Sequence, residues 1–111
     1  DGPLLELTAK HAKMGDTLHV RRDDKTVDLV CTLHDPQDGV LKVYTDRGVV
    51  EERSVKAGAR DFSFTVRADS SFYRAEFWGM DEQLHEVAPQ SISNPIFVQV
   101  EADEKRVGSR R

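Results

Sequence analysis

The run Asp61-Phe62-Ser63-Phe64-Thr65-Val66-Arg67-Ala68 alternates apolar and polar residues without a break. Successive side chains of a strand point to opposite faces, so Phe62, Phe64, Val66 and Ala68 share one face. Asp61, Ser63, Thr65 and Arg67 then share the other. The same period of two recurs in residues 27–34, with Val27, Leu29, Cys31 and Leu33 inward and Asp28, Thr32 and His34 outward. Tyr73, Ala75 and Phe77 form another inward set, alternating with Arg74, Glu76 and Trp78. Leu41 with Val43, and Ile96 with Val98 and Val100, give two more. After about residue 20 no segment repeats apolar residues at i, i+3, i+4 and i+7 for two full turns. The chain is therefore all-β.

The turn residues agree. Asp35-Pro36-Gln37-Asp38-Gly39 reads as a type I turn with Pro second and Gly free to take positive φ, joining a strand over 27–34 to one over 40–45. Asp46-Arg47-Gly48 leads tightly into 49–54, Ala57-Gly58-Ala59 into 61–68, and Asp69-Ser70-Ser71 into 72–78. Leu4 to Leu7 and Thr17 to Arg21 read as two further short strands, with Met14-Gly15-Asp16 as the bend between them. About seven to eight strands at this spacing, without crossover helices, predict an immunoglobulin-like antiparallel β-sandwich. The Cys…Trp…Cys spacing of antibody domains is missing, so that likeness is one of architecture. The connection from Gly79 to Pro95 is too long for a turn; it is expected to cap, to bind, or to hold a helical turn or extra strand over 83–88.

Length and charge narrow the options further. A chain of 111 residues supports one domain, expected over residues 1–101, with the polar residues 102–111 a disordered tail or linker. One cysteine excludes an internal disulfide framework and a cysteine-based zinc cluster. A net charge of −4 with mixed signs argues against nucleic acid as a partner. No apolar run approaches the roughly 20 residues of a membrane span. The opening Asp1-Gly2-Pro3, with neither a basic nor an apolar leader segment, reads as the cut end of a larger polypeptide. No compartment follows from these features.

Catalytic chemistry is sparse. His11, His19, His34 and His85 lie in no H-x-H or H-E-x-x-H setting. His85-Glu86 with Asp81 and Glu82 would be the nearest approach to a metal site, and a solvated acidic loop is the favoured reading. Cys31, inward between Leu29 and Leu33, reads as a small buried hydrophobe. The serines fall in turns or on polar faces, outside any G-x-S-x-G elbow. Glu51 and Glu52 are strand neighbours pointing to opposite faces, so they do not converge on one substrate. No catalytic, cofactor-binding or metal-ligating residue is assigned.

The outward residues are more informative. Phe72, Arg74, Glu76 and Trp78 share a face, and parity adds Tyr44 and Phe97. Exposed aromatics beside Arg anchor protein interfaces or stack on sugar rings, and the long 79–95 connection is a third way to cover them. These six residues are the candidate interface.

The stretch Ser71-Phe72-Tyr73-Arg74-Ala75-Glu76-Phe77-Trp78-Gly79, followed by Ile92-Ser93-Asn94-Pro95-Ile96-Phe97-Val98, resembles the closing segment of PHP-type metallohydrolases of the CehA/McbA kind. In those proteins an aromatic-x-Arg-x-Glu strand precedes Ser-Asn-Pro-Ile-aromatic, within a small β-sandwich C-terminal to the metal-binding PHP domain. Met14-Gly15-Asp16 and Val43-Tyr44-Thr45-Asp46-Arg47-Gly48 extend the likeness upstream. The resemblance implies a non-catalytic accessory domain of a metal-dependent phosphoesterase-like hydrolase. Its partner would be a catalytic domain of the same chain or of another subunit, and that domain would hold the divalent metals. The alternative is an independent module binding carbohydrate or a cell-surface ligand, and a far weaker third is a metal hydrolase using Asp81, His85 and Glu86.

Overall fold

A computed structural model describes residues 3–81 and 83–101, and these contain ten strands. They are β1 (Leu4–Ala9), β2 (Ala12–Lys13), β3 (Thr17–Val20), β4 (Thr26–His34) and β5 (Gly39–Thr45), then β6 (Gly48–Val55), β7 (Asp61–Arg67), β8 (Phe72–Asp81), β9 (Glu86–Ile92) and β10 (Ile96–Val100). One sheet has the order β2-β1-β4-β7; the other runs β3-β10-β8-β5-β6, with β9 also paired to β8. The described residues contain no helix, and none therefore is long and apolar enough to cross a membrane.

The alternation in the sequence becomes the core. Val27, Leu29, Cys31 and Leu33 of β4 and Phe62, Phe64 and Val66 of β7 are buried against Leu41 and Val43 of β5 and Tyr73, Ala75 and Phe77 of β8. Strands β1, β4 and β7 occupy the places of A, B and E in an immunoglobulin-like sandwich, and β5, β8 and β10 those of C, F and G. A further hallmark of that architecture is present at the β7–β8 corner. Tyr73, second residue of β8, donates its phenolic hydroxyl to the Arg67 carbonyl at 2.5 Å, the arrangement known as a tyrosine corner.

Four features differ from the expectation drawn from sequence. Ten strands replace seven or eight, because β2 is a two-residue bridge and the long connection supplies β9. The β3·β10 pairing is parallel, while every other pairing is antiparallel. In the 35–39 turn the positive φ falls on Asp35 (56°), not on Gly39. Gly39 is instead required by packing: a Cβ there would lie 2.2 Å from the Trp78 carbonyl oxygen and 2.7 Å from the Phe77 ring. Gly48, with φ 96°, does close the 46–48 turn as expected. Val100, expected inward, is exposed near the end of its strand, where Ile96 alone is fully buried. The tail expected over 102–111 lies outside the described residues.

The connection after β8 runs beside that strand in the sheet rather than over its outer face. Residues 83–85 make a turn, and β9 then returns antiparallel along the C-terminal half of β8. Beyond Ser93–Pro95, β10 pairs with the N-terminal end of the same β8 edge. A single interrupted strand thus flanks β8. Ser93 bridges the interruption: its amide donates to the Ala75 carbonyl and its hydroxyl accepts from the Ala75 amide, both at 2.8 Å. Pro95, which has no amide to offer, accepts from Gly15 at 2.7 Å.

Candidate functional site

The central strand β8 presents Arg74, Glu76 and Trp78 on the outer face of the six-stranded sheet, opposite its core residues. Antiparallel register sets Tyr44 of β5 opposite Arg74, and Lys42 opposite Glu76. Residues directly opposite share a face, so these five side chains form one cluster.

Glu76 lies at its centre and is 7% exposed. One carboxylate oxygen, Oε2, pairs with the Arg74 guanidinium, and the other, Oε1, accepts the Trp78 indole N–H at 2.8 Å. Burial alone would push the carboxyl up. Hydrogen bonds from Arg74, Trp78 and Tyr44, with the Arg74 charge, outweigh burial and hold it below the usual glutamate range. Burial first, then the neighbouring Glu76, raises the Tyr44 phenol above its ordinary value. The cations also cover the rings. Arg74 stacks 4.2 Å from the Tyr44 ring centroid, and the Lys42 ammonium lies 4.2 Å from that of Trp78. Every buried polar side-chain atom among the described residues has a partner.

Phe72 and Phe97, directly opposite each other across β8 and β10, lie at the other end of this sheet face. Phe97 is 48% exposed and Phe72 half-buried. All six residues singled out from sequence therefore share a face, in two groups: the Tyr44–Arg74–Glu76–Trp78 cluster and the Phe72–Phe97 pair. Glu76 is more deeply buried than outward parity alone implies, because Arg74 and Trp78 close over it. Lys42 was not singled out, although it stands two residues before Tyr44 and so has the same parity. The apolar extension of the face was also missed. Ile92, Pro89 and Val87 of β9 lie opposite Glu76, Trp78 and Met80, and Met80, Val87 and Ile92 are all exposed.

Of the residues nearest to a metal site by sequence, Glu82 lies outside the described residues and Asp81 has another duty. Asp81 Oδ1 accepts from the Gln83 and Leu84 amides at 2.9 and 3.1 Å, shaping the β8–β9 turn, and His85 adopts a left-handed φ of 57°. Among the described residues no three His, Cys, Asp or Glu side chains converge to hold a metal ion. Cys31 is fully buried, and desolvation pushes its thiol up to about 12. His34 pairs with Glu6 across β1 and β4 at 2.8 Å.

At the centre of the cluster the carboxylate accepts from both the guanidinium and the indole N–H. Outward the cluster offers two cation-covered rings beside an apolar stripe. That is the make-up of an interface centre, rich in aromatics and Arg. Comparison with protein-family models, with curated proteins and with solved structures returned no match.

Proposed function

We propose that this chain is a non-catalytic accessory sandwich of a PHP-type, metal-dependent phosphoesterase-like hydrolase. It docks on the catalytic domain, in the same chain or another subunit, through the outer face of the six-stranded sheet. The observation that carries this reading is the junction at Ala75 and Ser93. The two segments that resemble the family are separated by residues 80–91, and they meet at Ala75 and Ser93 through two reciprocal hydrogen bonds on one edge of β8. The first segment is thus the strand that displays Arg74, Glu76 and Trp78, and the second is hydrogen-bonded along its edge. In this reading divalent metals belong to the catalytic domain, and the sandwich fixes its orientation, assembly or substrate access.

The alternative, a carbohydrate-binding module, has less support. Sugar stacking needs a bare ring face, and Tyr44 and Trp78 each have a cation over the ring.

The test is association with a PHP-type catalytic domain supplied as a separate polypeptide. Trp78→Ala and Phe97→Ala should each weaken capture at least tenfold while the sandwich keeps its far-ultraviolet spectrum. Unchanged capture with both variants would overturn the docking face.

A further inference from the structure

We propose that β7 is a self-pairing edge through which two copies of this chain join their four-stranded sheets into one of eight strands. This edge belongs to the other sheet from the Trp78 face, so the inference stands apart from the function proposed above.

The edge is open and regular. Strand β7 pairs with β4 on one side and has no second neighbour among the described strands. The Leu33 amide donates to the Arg60 carbonyl, and the Ala68 amide to the Lys25 carbonyl. By alternation, the backbone groups of Phe62, Phe64 and Val66 point toward β4, and those of Asp61, Ser63, Thr65 and Arg67 point away from it. The other long edges are less suited: β6 pairs through a bulge, and β9 contains Pro89.

The sequence of β7 is complementary to its own reverse. Antiparallel pairing of two copies about Phe64 sets Asp61 opposite Arg67, Phe62 opposite Val66, Ser63 opposite Thr65, and Phe64 opposite itself. Opposite charges therefore meet twice on the outer face, hydroxyls meet twice, and apolar residues continue the core across the two-fold axis. In this register the outward-pointing backbone groups of Ser63 face those of Thr65, and those of Asp61 face Arg67, as an antiparallel ladder requires.

Two contacts guard the edge without closing it. Arg53 of β6 reaches the Ser63 carbonyl at 3.3 Å with its guanidinium 4.6 Å from the Phe64 ring centroid, and Tyr73 holds the Arg67 carbonyl. A carbonyl oxygen has two lone pairs, so each can accept a second hydrogen bond. Arg67 also pairs with Asp69 at 2.7 Å on an exposed surface, where exchange for Asp61 of the second copy costs little.

Sedimentation velocity across a micromolar-to-submillimolar range tests the proposal. The chain should approach twice its monomer mass. Asp61→Arg and Arg67→Asp should each weaken the dimer by about tenfold or more, since each turns two ion pairs into like-charge contacts. The double variant should restore it, and Trp78→Ala should leave it unchanged. All three positions are exposed or half-exposed, and far-ultraviolet spectra check that each variant folds. A monomer throughout the range, a dimer indifferent to the single charge changes, a double variant no better than either single, or a dimer lost in Trp78→Ala would each overturn the assignment.

Discussion

Ser93 and Ala75 hold each other by two hydrogen bonds, amide to carbonyl in one direction and amide to hydroxyl in the other, both 2.8 Å long. The ladder between β8 and its flanking strand is interrupted at Ser93–Pro95, and the serine side chain does there what a backbone carbonyl does elsewhere. The interruption lets one stretch of chain flank β8 as β9, step aside at Pro95, and resume as β10 against β3. The strand that displays the candidate interface is thereby held on this edge along most of its length.

Ser93→Ala removes the only side-chain acceptor for the Ala75 amide at a position where both residues are buried. The stranded N–H should cost about 1–3 kcal/mol. A urea melt should show a lower midpoint with an unchanged slope; an unchanged midpoint would mean that a water or a backbone shift replaces the hydroxyl.

Strands with one face buried and one wet were legible in the sequence, because burial enforces the period of two: β4, β7 and the first half of β8 came out with their inward sets intact. Tyr44, Arg74, Glu76 and Trp78 followed from the same parity. What escaped was set by long-range pairing or by exposure on both faces. Strand β9 is open only as one option, over 83–88, because it has no apolar alternation to read: Pro89 and the extra residue at the bulge break its period and most of its side chains are exposed. The parallel β3·β10 pairing joins residues some eighty positions apart and leaves no local trace. Gly39 read as a turn glycine, since the ring and carbonyl that crowd it lie on a strand almost forty residues away.

Gly39→Ala separates these two uses of glycine. Its Cβ would meet the Trp78 carbonyl oxygen at 2.2 Å and the Phe77 ring at 2.7 Å, in a part of the sandwich that cannot shift without moving β8. Stability should fall by about 3 kcal/mol or more, the upper end of the overpacking range. Gly58→Ala meets no atom within 4 Å and strains only φ, at 84°, so it should cost about 1–2 kcal/mol. Thermal midpoints of the two variants compare them directly, and equal losses would refute a packing role for Gly39.

Glu76 controls part of the acid limb of stability. Its folded carboxyl titrates below the ordinary value of 4.5, so the stabilisation is complete above that pH and is lost as pH falls through the folded value. Glu76→Gln leaves Arg74 without its carboxylate, and at neutral pH the variant should be less stable by about 1.5–3 kcal/mol, the range for a hydrogen bond to a charged group. Below pH 4.5 its stability should decline less steeply than that of the native chain, with the remaining slope supplied by Asp69, lowered by Arg47 and Arg67, and by Asp46, lowered by Ser71. Parallel acid limbs for the two proteins would show that folding leaves the Glu76 carboxyl titrating where it does in the unfolded chain.

Two core residues that the fold keeps neutral carry the larger part of the alkaline limb, and the Tyr44 phenol, raised by burial and by Glu76, adds to it. Desolvation raises the Cys31 thiol from 9.0 to about 12. Burial first, then the negative charges of Asp69 and Asp46, raises the Tyr73 phenol from 10.0 to about 12. Each folded value exceeds the unfolded one, so the stabilisation is complete below pH 9 and falls once the unfolded chain begins to lose these protons. The loss runs to about pH 12, beyond which both groups ionise in the folded chain as well. Tyr73→Phe and Cys31→Val each delete one ionisation. Tyr73→Phe also breaks the tyrosine corner, so it should start about 1 kcal/mol lower at neutral pH, the worth of one hydrogen bond. Urea midpoints taken at steps from neutral pH upward should fall steeply for the native chain, less for either variant, and least for the pair combined. If the double variant fell as fast as the native chain, the alkaline limb would have to arise outside the core.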